Sequence, residues 1–215
     1  MGRLKTLKLT LLRASFNLLY QLFYFLGGPR KHRVTFATMR SNQLTDNLKA
    51  LHTQFEKDGQ MDIRVFCYHY DRTFKSKLGF LVASIRALHI IARSEMLIID
   101  DYFFPLYAIN KHANNQVVQL WHAIGFLKRF GLSLPTASQS VLKPHTNYDW
   151  VFINSEIDKP AYVDAFDVDP DHVIASGEPM MDELMRQHPE THSGTKRMLY
   201  SPTYRPGVHG EAQVL

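Results

Sequence analysis

The sequence VVQLWHAIGFLKRFG at residues 117–131 places a histidine, His122, just after a run of β-branched and apolar residues. An imidazole has an ordinary pKa of about 6.5, so it can accept a proton from a substrate hydroxyl close to neutral pH. Lys128 and Arg129 follow, and such a cationic pair can hold an anion, for example a phosphate. Two alternatives stay open: His122 could be a packing residue beside Trp121, and the cations could simply solvate a helix.

Other combinations of polar residues carry weaker signals. Asp100 and Asp101 could contact a metal ion, but neighbouring strand residues point to opposite faces and cannot easily share one. Residues 167–178 imitate a calcium loop, yet His172 stands where the sharp-turn glycine belongs. There is no Walker loop, no G-x-S-x-G elbow and no zinc-spaced Cys/His cluster. We therefore expect no metal and no cofactor.

Composition narrows the class of protein. The 215 residues are 45% hydrophobic and 21% charged, which is typical of a globular chain with a full core. Cys67 is the only cysteine, which excludes an intrachain disulfide, and it is expected to lie buried and inert in a strand. The net charge of +5 comes from residues 1–45, which hold eight cations and no acid. The rest has 17 basic and 20 acidic residues, so a nucleic-acid partner is not expected.

The basic N-terminal segment, residues 1–28, is predicted to be an amphipathic helix that Gly27, Gly28 and Pro29 end. Leucines and a phenylalanine form one stripe, and a polar stripe runs along another: Thr6, Thr10, Arg13, Asn17 and Gln21. We expect this helix to lie on a membrane surface that carries anionic lipids. The alternatives are a helix packed on a partner or on the domain itself, and a membrane-spanning or signal segment.

Beyond this helix, β-branched runs alternate with helical stretches. Strands are predicted over residues 33–39, 61–69, 95–101, 115–123, 148–155 and 172–177, and helices over 45–59, 77–94, 159–166 and 179–187. This alternation predicts an α/β fold with a doubly wound parallel sheet. Residues 187–197 have the composition of a linker, and 198–205 begin one more strand.

This architecture indicates where the chemistry should lie. In an open parallel sheet, ligands bind outside the carboxyl ends of the strands. Asp100, Asp101, His122 and Ser155 all fall at such ends. The position of His122 therefore adds support for a cleft, while a histidine beside a tryptophan is in general more often a packing residue, so both interpretations stay open.

Four stretches together resemble the CDP-glycerol glycerophosphotransferase family, the teichoic acid primases and polymerases. QLWHAIGFLKRFG is similar to its Q-x-W-H-G-x-x-x-K-x-x-G signature, and DYFFPLY (101–107) to the segment just upstream. Residues 148–184 resemble its Y-D…S-S-E…F…G-x-P-R-x-D run, and LYSPTYR (199–205) its Y-A-P-T-[FW]-R motif. TDNLKAL (45–51) matches an early Asp-Asn helix. Ala123 stands where the family usually has glycine, and Met180 where it usually has arginine.

The resemblance implies one Rossmann-like half of a GT-B enzyme. The N-terminal half would bind the acceptor, and the C-terminal half would bind the donor substrate, CDP-glycerol. His122 would be the general base on an acceptor glycerol hydroxyl, which attacks the phosphorus that carries glycerol and releases CMP. The matched motifs assign substrate contacts to Trp121, Lys128, Asp101, Ser155 and Arg205. A close relative could use CDP-ribitol, and primase and polymerase roles both stay open.

The resemblance also implies a location, partners and a division of the chain. Family members work at the cytoplasmic face of the membrane on lipid-linked polyol-phosphate acceptors, which agrees with a peripheral helix at 1–28. Residues 29–190 would form the acceptor-side domain, and 191–215 a linker and the start of a truncated donor-binding domain, since the sequence stops about ten residues after the Tyr-x-Pro-Thr motif. An incomplete enzyme, completed by a separate donor-binding half or an oligomer, is therefore expected.

The alternative is a non-catalytic, membrane-associated Rossmann module that binds lipid-linked acceptor or a partner chain. A nucleotide-sugar glycosyltransferase is a remote third reading.

Overall fold

The computed structural model describes residues 3–69, 74–125, 129–134, 137, 139–187, 198 and 200. Six strands, all parallel, form one sheet in the order β2-β1-β3-β4-β5-β6. The strands are β1 (Arg30–Thr38), β2 (Asp62–Cys67), β3 (Ser94–Ile99), β4 (Gln116–Gln119), β5 (Trp150–Ile153) and β6 (Val173–Ala175). The α/β fold with a parallel sheet is therefore confirmed, and each of the six strands predicted from residues 33–177 is present.

The helices are α1 (Arg3–Phe25), α2 (Asp46–Asp58), α3 (Phe74–Arg93), α4 (Phe104–Tyr107), α5 (Lys159–Phe166) and α6 (Pro179–Gln187). Gly59 ends α2 in the left-handed conformation (φ 67°), and its N–H donates to the carbonyl oxygen of Phe55. The single turn α4 was not predicted, because four apolar residues show no helical period. Of the strand expected at 198–205, the described residues include only Met198 and Tyr200.

Apolar side chains alternate between the two faces of the sheet. On one face, Leu97, Ile99 and Val117 belong to a buried cluster that includes residues of α1, α3, α4 and α5. On the other face, Phe36 and Ile98 pack with Leu48 of α2. Helices thus cover both faces, which explains why β3, with Leu97, Ile98 and Ile99, is apolar on two sides and reads as a continuous hydrophobic run.

Helix α1 packs against this domain. It lies along α3, with Phe16 and Tyr20 buried. The Tyr20 hydroxyl donates a 2.6 Å hydrogen bond to Oδ1 of Asn115, and Oδ1 of Asn17 accepts one of 2.8 Å from the backbone N–H of Asn110. Among the alternatives for residues 1–28, packing on the domain itself describes this side of the helix.

The opposite side of α1 is apolar and exposed. We call it the apolar face of α1; it consists of Leu4, Leu7, Leu11, Leu18, Leu22 and Phe25. Leu78 and Val82 of the neighbouring helix α3 are exposed as well. Within the described ranges, no helix combines the length and hydropathy needed to cross a bilayer.

Candidate active site

A strained turn carries His122 at the carboxyl edge of the sheet. After β4 ends, Trp121 adopts the left-handed conformation (φ 57°), which is uncommon for a bulky residue. Its backbone N–H donates a 2.8 Å hydrogen bond to Oε1 of Gln119, which holds the turn. Such strain persists only where the surroundings fix it, and it is frequent at functional sites.

The side chains of Trp121 and His122 have different environments. The indole is 5% exposed and packs among aromatic rings, with centroid distances of 5.6 Å to Phe130 and 5.3 Å to Phe166. The imidazole of His122 is 31% exposed. The buried indole of Trp121 thus anchors the turn in the core, while His122 reaches solvent at the carboxyl edge of the sheet.

The end of β3 supplies the partners of His122. Its Nδ1 lies 3.1 Å from the carbonyl oxygen of Asp100 and 3.6 Å from Oδ1 of Asp101. A carbonyl oxygen only accepts hydrogen bonds, so Nδ1 carries the proton of the neutral ring. Nε2 then holds the lone pair, which is the arrangement that a general base requires. The sequence placed these three residues at strand ends, and the structure shows that the two strands, β3 and β4, are neighbours and brings the residues together.

The carboxyl of Asp100 is buried, with 1% of the residue exposed. Burial raises its pKa to about 6, while the hydrogen bond from Thr38 and the charge of Arg40 oppose that rise. One of its oxygens, Oδ1, has no hydrogen-bond partner among the described residues. A buried carboxyl with this pKa is readily neutralised by mild acid.

Arg40 is a cation at this edge that sequence reasoning missed. It follows β1 by two residues, lies close enough to Asp100 to lower that carboxyl's pKa, and forms a 2.5 Å ion pair with Asp46. Its backbone carbonyl oxygen is 2.7 Å from Nδ1 of His69. Its place just beyond a strand end was the available signal, as it was for Asp101. Arg40 is thus a cation near Asp100 whose guanidinium is already paired with Asp46.

His145 was also missed, and it lies beneath the site. It is fully buried, and its ring stacks on Phe166 at a centroid distance of 4.5 Å. Burial, together with a smaller contribution from the charge of His122, lowers its pKa to about 3. A positive φ of 60° and a hydrogen-bonding distance of 3.1 Å between its Nδ1 and the Tyr148 hydroxyl fix the ring. No short sequence pattern marks such a residue, because Trp121 and Phe166, whose rings pack against it, come from other segments of the chain.

The segment after His122 is fastened to α5. The Tyr162 hydroxyl donates a 2.8 Å hydrogen bond to the carbonyl oxygen of Ala123 and lies 3.4 Å from that of Gly125. Ala123, which stands where the resemblance predicts glycine, is exposed. The methyl group therefore meets solvent in this structure.

The remaining predicted contacts have varied positions. Ser155 follows β5 and uses its hydroxyl to accept a hydrogen bond from the N–H of Ile157, as a helix cap. Lys128 and Arg205 lie outside the described residues, whereas Arg129 is described and exposed. Substrate binding by Trp121, Asp101 and Ser155 stays a prediction. In the part of the chain that the structure covers, no three His, Cys, Asp or Glu residues group closely enough to hold a metal ion.

Comparison with known proteins gives this site a context. The chain is 26% identical to the teichoic acid ribitol-phosphate primase of Bacillus spizizenii, over 96% of this chain and 58% of that protein. It is 30% identical to the poly(ribitol-phosphate) polymerase of the same organism (88% of this chain, 32% of that protein). With the glycerol-phosphate primase of Bacillus subtilis it shares 29% identity over 56% of this chain and 35% of that protein. The chain thus spans about a third to three fifths of these relatives' lengths.

The fold and the sequence agree in this comparison. The structure of a variant of the wall teichoic acid polymerase TagF superimposes with a TM-score of 0.61 at 14% identity, over 88% of this chain and 50% of that one. This likeness confirms the predicted Rossmann-like half of a GT-B architecture. Residues 18–214 match the sequence model of one family. The chain therefore belongs to the CDP-glycerol:poly(glycerophosphate) glycerophosphotransferase family.

Proposed function

We propose that this chain is the acceptor-side half of a transferase that moves glycerol phosphate from CDP-glycerol to a lipid-linked acceptor, with His122 as general base. The observation that carries the proposal is the contact of Nδ1 of His122 with the carbonyl oxygen of Asp100. It leaves Nε2 as the proton acceptor on a ring that is 31% exposed, at the edge where parallel sheets bind ligands. Family membership supports the reaction class.

The chemistry follows from the ring's two nitrogens. An acceptor hydroxyl donates its proton to Nε2 while its oxygen bonds to the phosphorus that carries glycerol. The bond between that phosphorus and the oxygen bridging to the cytidine phosphate breaks, and CMP leaves with the electron pair. An alcohol is a poor nucleophile near neutral pH, so the base supplies a large part of the rate. We propose that Arg40, whose charge reaches Asp100, also offsets negative charge on the phosphate.

The donor could instead be CDP-ribitol. The ribitol-phosphate primase matches 96% of this chain, whereas the glycerol-phosphate primase of Bacillus subtilis matches 56%. We therefore treat CDP-ribitol as the second candidate donor, with the same base and the same leaving group. The proposed role of His122 as general base is the same for a glycerol and for a ribitol donor.

The first experiment determines the intact mass of the natural polypeptide from its source cells and measures CMP release by that same polypeptide. CDP-glycerol and CDP-ribitol are supplied in parallel with a lipid-linked acceptor. His122→Ala should lower kcat by about 10²- to 10⁴-fold, the range of general base catalysis. His89→Gln, on exposed His89 of α3, is the matched control and should leave the rate unchanged. Wild-type activity in His122→Ala would refute the role of His122.

The surface of α1 supports a membrane-bound acceptor. The apolar face of α1 is exposed, and the exposed residues of this N-terminal part of the chain include the cations Lys8 and Arg13 of α1 and Arg30 and Lys31 at the start of β1. Apolar side chains next to cations favour a bilayer with anionic lipids. We propose that this face lies on the cytoplasmic side of the membrane, the side on which a lipid-linked acceptor would be bound.

Vesicle sedimentation tests this surface. Binding to phosphatidylglycerol vesicles should exceed binding to phosphatidylcholine vesicles and weaken as salt rises. The double variant L11E/L18E should lose binding, whereas T6E/T10E, which adds the same charge to the polar stripe of α1, should retain most of it. Equal losses in both variants would point to charge alone and contradict the proposed face. Vesicle binding by a natural polypeptide that releases no CMP from either donor would favour the non-catalytic module.

A further inference from the structure

We infer that Asp101 is a positioning residue that acts through His122, and that Gln119 holds the pair together. The inference deepens the proposed function and rests on it, since it assumes that His122 is the base. It differs from the sequence prediction, in which Asp101 contacts the substrate. As a positioning residue, Asp101 would contact the ring of His122; as a binding residue, it would contact the substrate.

The carboxylate of Asp101 lies on the Nδ1 side of the His122 ring. Its Oδ1 is 3.6 Å from Nδ1 and accepts a 2.6 Å hydrogen bond from the backbone N–H of Tyr102. The side chain is 17% exposed, so solvent screens it only in part. A carboxylate fixed in this way faces the nitrogen opposite to the one that would take the substrate's proton.

Gln119 joins the two turns that carry this pair. Its side chain is fully buried at the end of β4. Its Oε1 accepts the 2.8 Å hydrogen bond from Trp121, and its Nε2 donates one of 3.3 Å to the carbonyl oxygen of Asp101. One side-chain amide thus fixes both the turn before His122 and the backbone of Asp101. Movement of either segment away from Gln119 would break a buried hydrogen bond.

The energetic consequence concerns the transition state. When Nε2 takes the proton, the ring of His122 becomes positive and forms an ion pair with Asp101 that the neutral ring lacks. An interaction that strengthens only as the reaction proceeds raises kcat and leaves ground-state binding unchanged. A substrate contact would instead contribute to the bound ground state and appear in KM.

The test compares kcat and KM in the natural polypeptide. Asp101→Asn keeps the shape of the side chain and removes its charge, so kcat should fall about 10- to 100-fold, a part of the catalytic range of a general base. The KM for the CDP-linked donor and for the acceptor should stay within about twofold. Asp101→Glu restores the carboxylate and should recover part of the loss. Asp164→Asn on the exposed side of α5 is the matched control.

A double variant separates this inference from the proposed function. In a His122→Ala background, Asp101→Asn should cause no further loss, because its effect passes through the ring. If His122→Ala is inactive and Asp101→Asn has wild-type kcat, the inference fails and the proposed function stands. A raised KM with unchanged kcat would assign Asp101 to the substrate and also overturn the inference. Wild-type activity of His122→Ala would overturn both.

An NMR measurement covers the case in which a variant folds poorly. Long-range ¹H–¹⁵N spectra of the unmodified protein, with His122 assigned by His122→Gln, report which ring nitrogen carries the proton. The contacts with Asp100 and Asp101 require the Nδ1–H tautomer at high pH. Detection of the Nε2–H tautomer instead would overturn the inference without any assay of activity.

Discussion

The hydroxyl of Tyr162 donates a 2.8 Å hydrogen bond to the carbonyl oxygen of Ala123, the residue after His122. The contact fastens the His122 turn to α5 across 39 residues of sequence. Tyr162 is itself buried, and burial raises the pKa of its phenol well above the ordinary value, so it remains a donor at any pH the fold tolerates.

Removal of this hydroxyl should loosen the turn. Tyr162→Phe keeps the ring and its packing, so we expect a loss of about 1 kcal/mol in the free energy of unfolding, typical of one hydrogen bond. Urea denaturation measures it. Tyr200→Phe changes an exposed tyrosine and should have almost no effect. Equal stability of Tyr162→Phe and the unmodified protein would show that the tether contributes nothing.

The close approach of Gly131 to α5 makes a second, sharper prediction. Gly131 has a φ of 57°, and a methyl group there would collide with the carbonyl oxygen of Ala165 and come within 3.1 Å of the His145 ring. Gly131→Ala adds this clash to the backbone strain, so we expect a loss of more than about 3 kcal/mol in the free energy of unfolding.

Gly59 is the matched control for that substitution. It has a similar φ of 67°, but nothing lies within 4 Å of the position of an added methyl group. Gly59→Ala should therefore cost only the backbone term, about 1–2 kcal/mol. Thermal or urea denaturation of both variants separates strain from collision, and similar losses in the two would refute the close packing at Gly131.

The sheet could be predicted because its strands are short β-branched runs bounded by helices and turn residues. The start of β1 was missed: Arg30 pairs with Ser94, three residues before the predicted start, and the register shifts before Val34. Charged residues precede Val34, so neither alternation nor hydrophobicity marks that part of the strand. Backbone pairing with β3 decides it, and a single-sequence pattern contains no record of that partner.

Site residues could be predicted from the sequence where they directly follow a predicted strand. His122 and Asp101 were found in this way, and parallel strand ends had to bring them together. The roles of His145 and of the Gln119 side chain could not be found, because they depend on contacts that only folding creates. His145 packs on Phe166, and Gln119 accepts a hydrogen bond from the backbone of Trp121. The positive φ of Trp121 was equally hidden, since such a conformation is expected of glycine or asparagine.

Helix α1 shows the same limit on a larger element. Its polar stripe was visible in Asn17 and Gln21, and its apolar face in the leucines. Periodicity cannot tell which side meets the domain. The structure shows that Asn17 and Gln21 bond to Asn110, so part of the polar stripe faces protein while the apolar face of α1 is exposed.

The buried His145 should make the fold sensitive to acid. Its pKa is about 3 in the folded state, because burial disfavours the charged ring, against about 6.5 in an unfolded chain. Between these values the unfolded state binds more protons, so the free energy of unfolding should fall as the pH is lowered from about 6.5 toward 3, by up to about 4 kcal/mol.

Replacement of that ring should reduce the dependence. His145→Gln loses the stack on Phe166 and should be less stable at pH 7, but its stability should decline less between pH 7 and pH 4 than that of the unmodified protein. Urea denaturation at each pH provides the comparison, with His89→Gln as the exposed control. A parallel decline in His145→Gln would exclude His145 as the source of the acid sensitivity.

Asp100 should act in the opposite direction over part of the same range. Burial raises its pKa to about 6, above the ordinary 3.8, so the folded state binds more protons than the unfolded state between these values. Its contribution to stability is therefore complete below about pH 4 and is lost as the pH rises through 6, a change of about 2–3 kcal/mol. The substitution Asp100→Asn tests this dependence, because it introduces a side chain of similar shape that does not titrate.

The free energy of unfolding of Asp100→Asn, measured by urea denaturation and compared with that of the unmodified protein, should rise steadily from pH 4 to pH 7. For Asp171→Asn, at an exposed site, the difference from the unmodified protein should stay constant over this range. A constant difference for Asp100→Asn as well would mean that the carboxyl keeps an ordinary pKa in the fold.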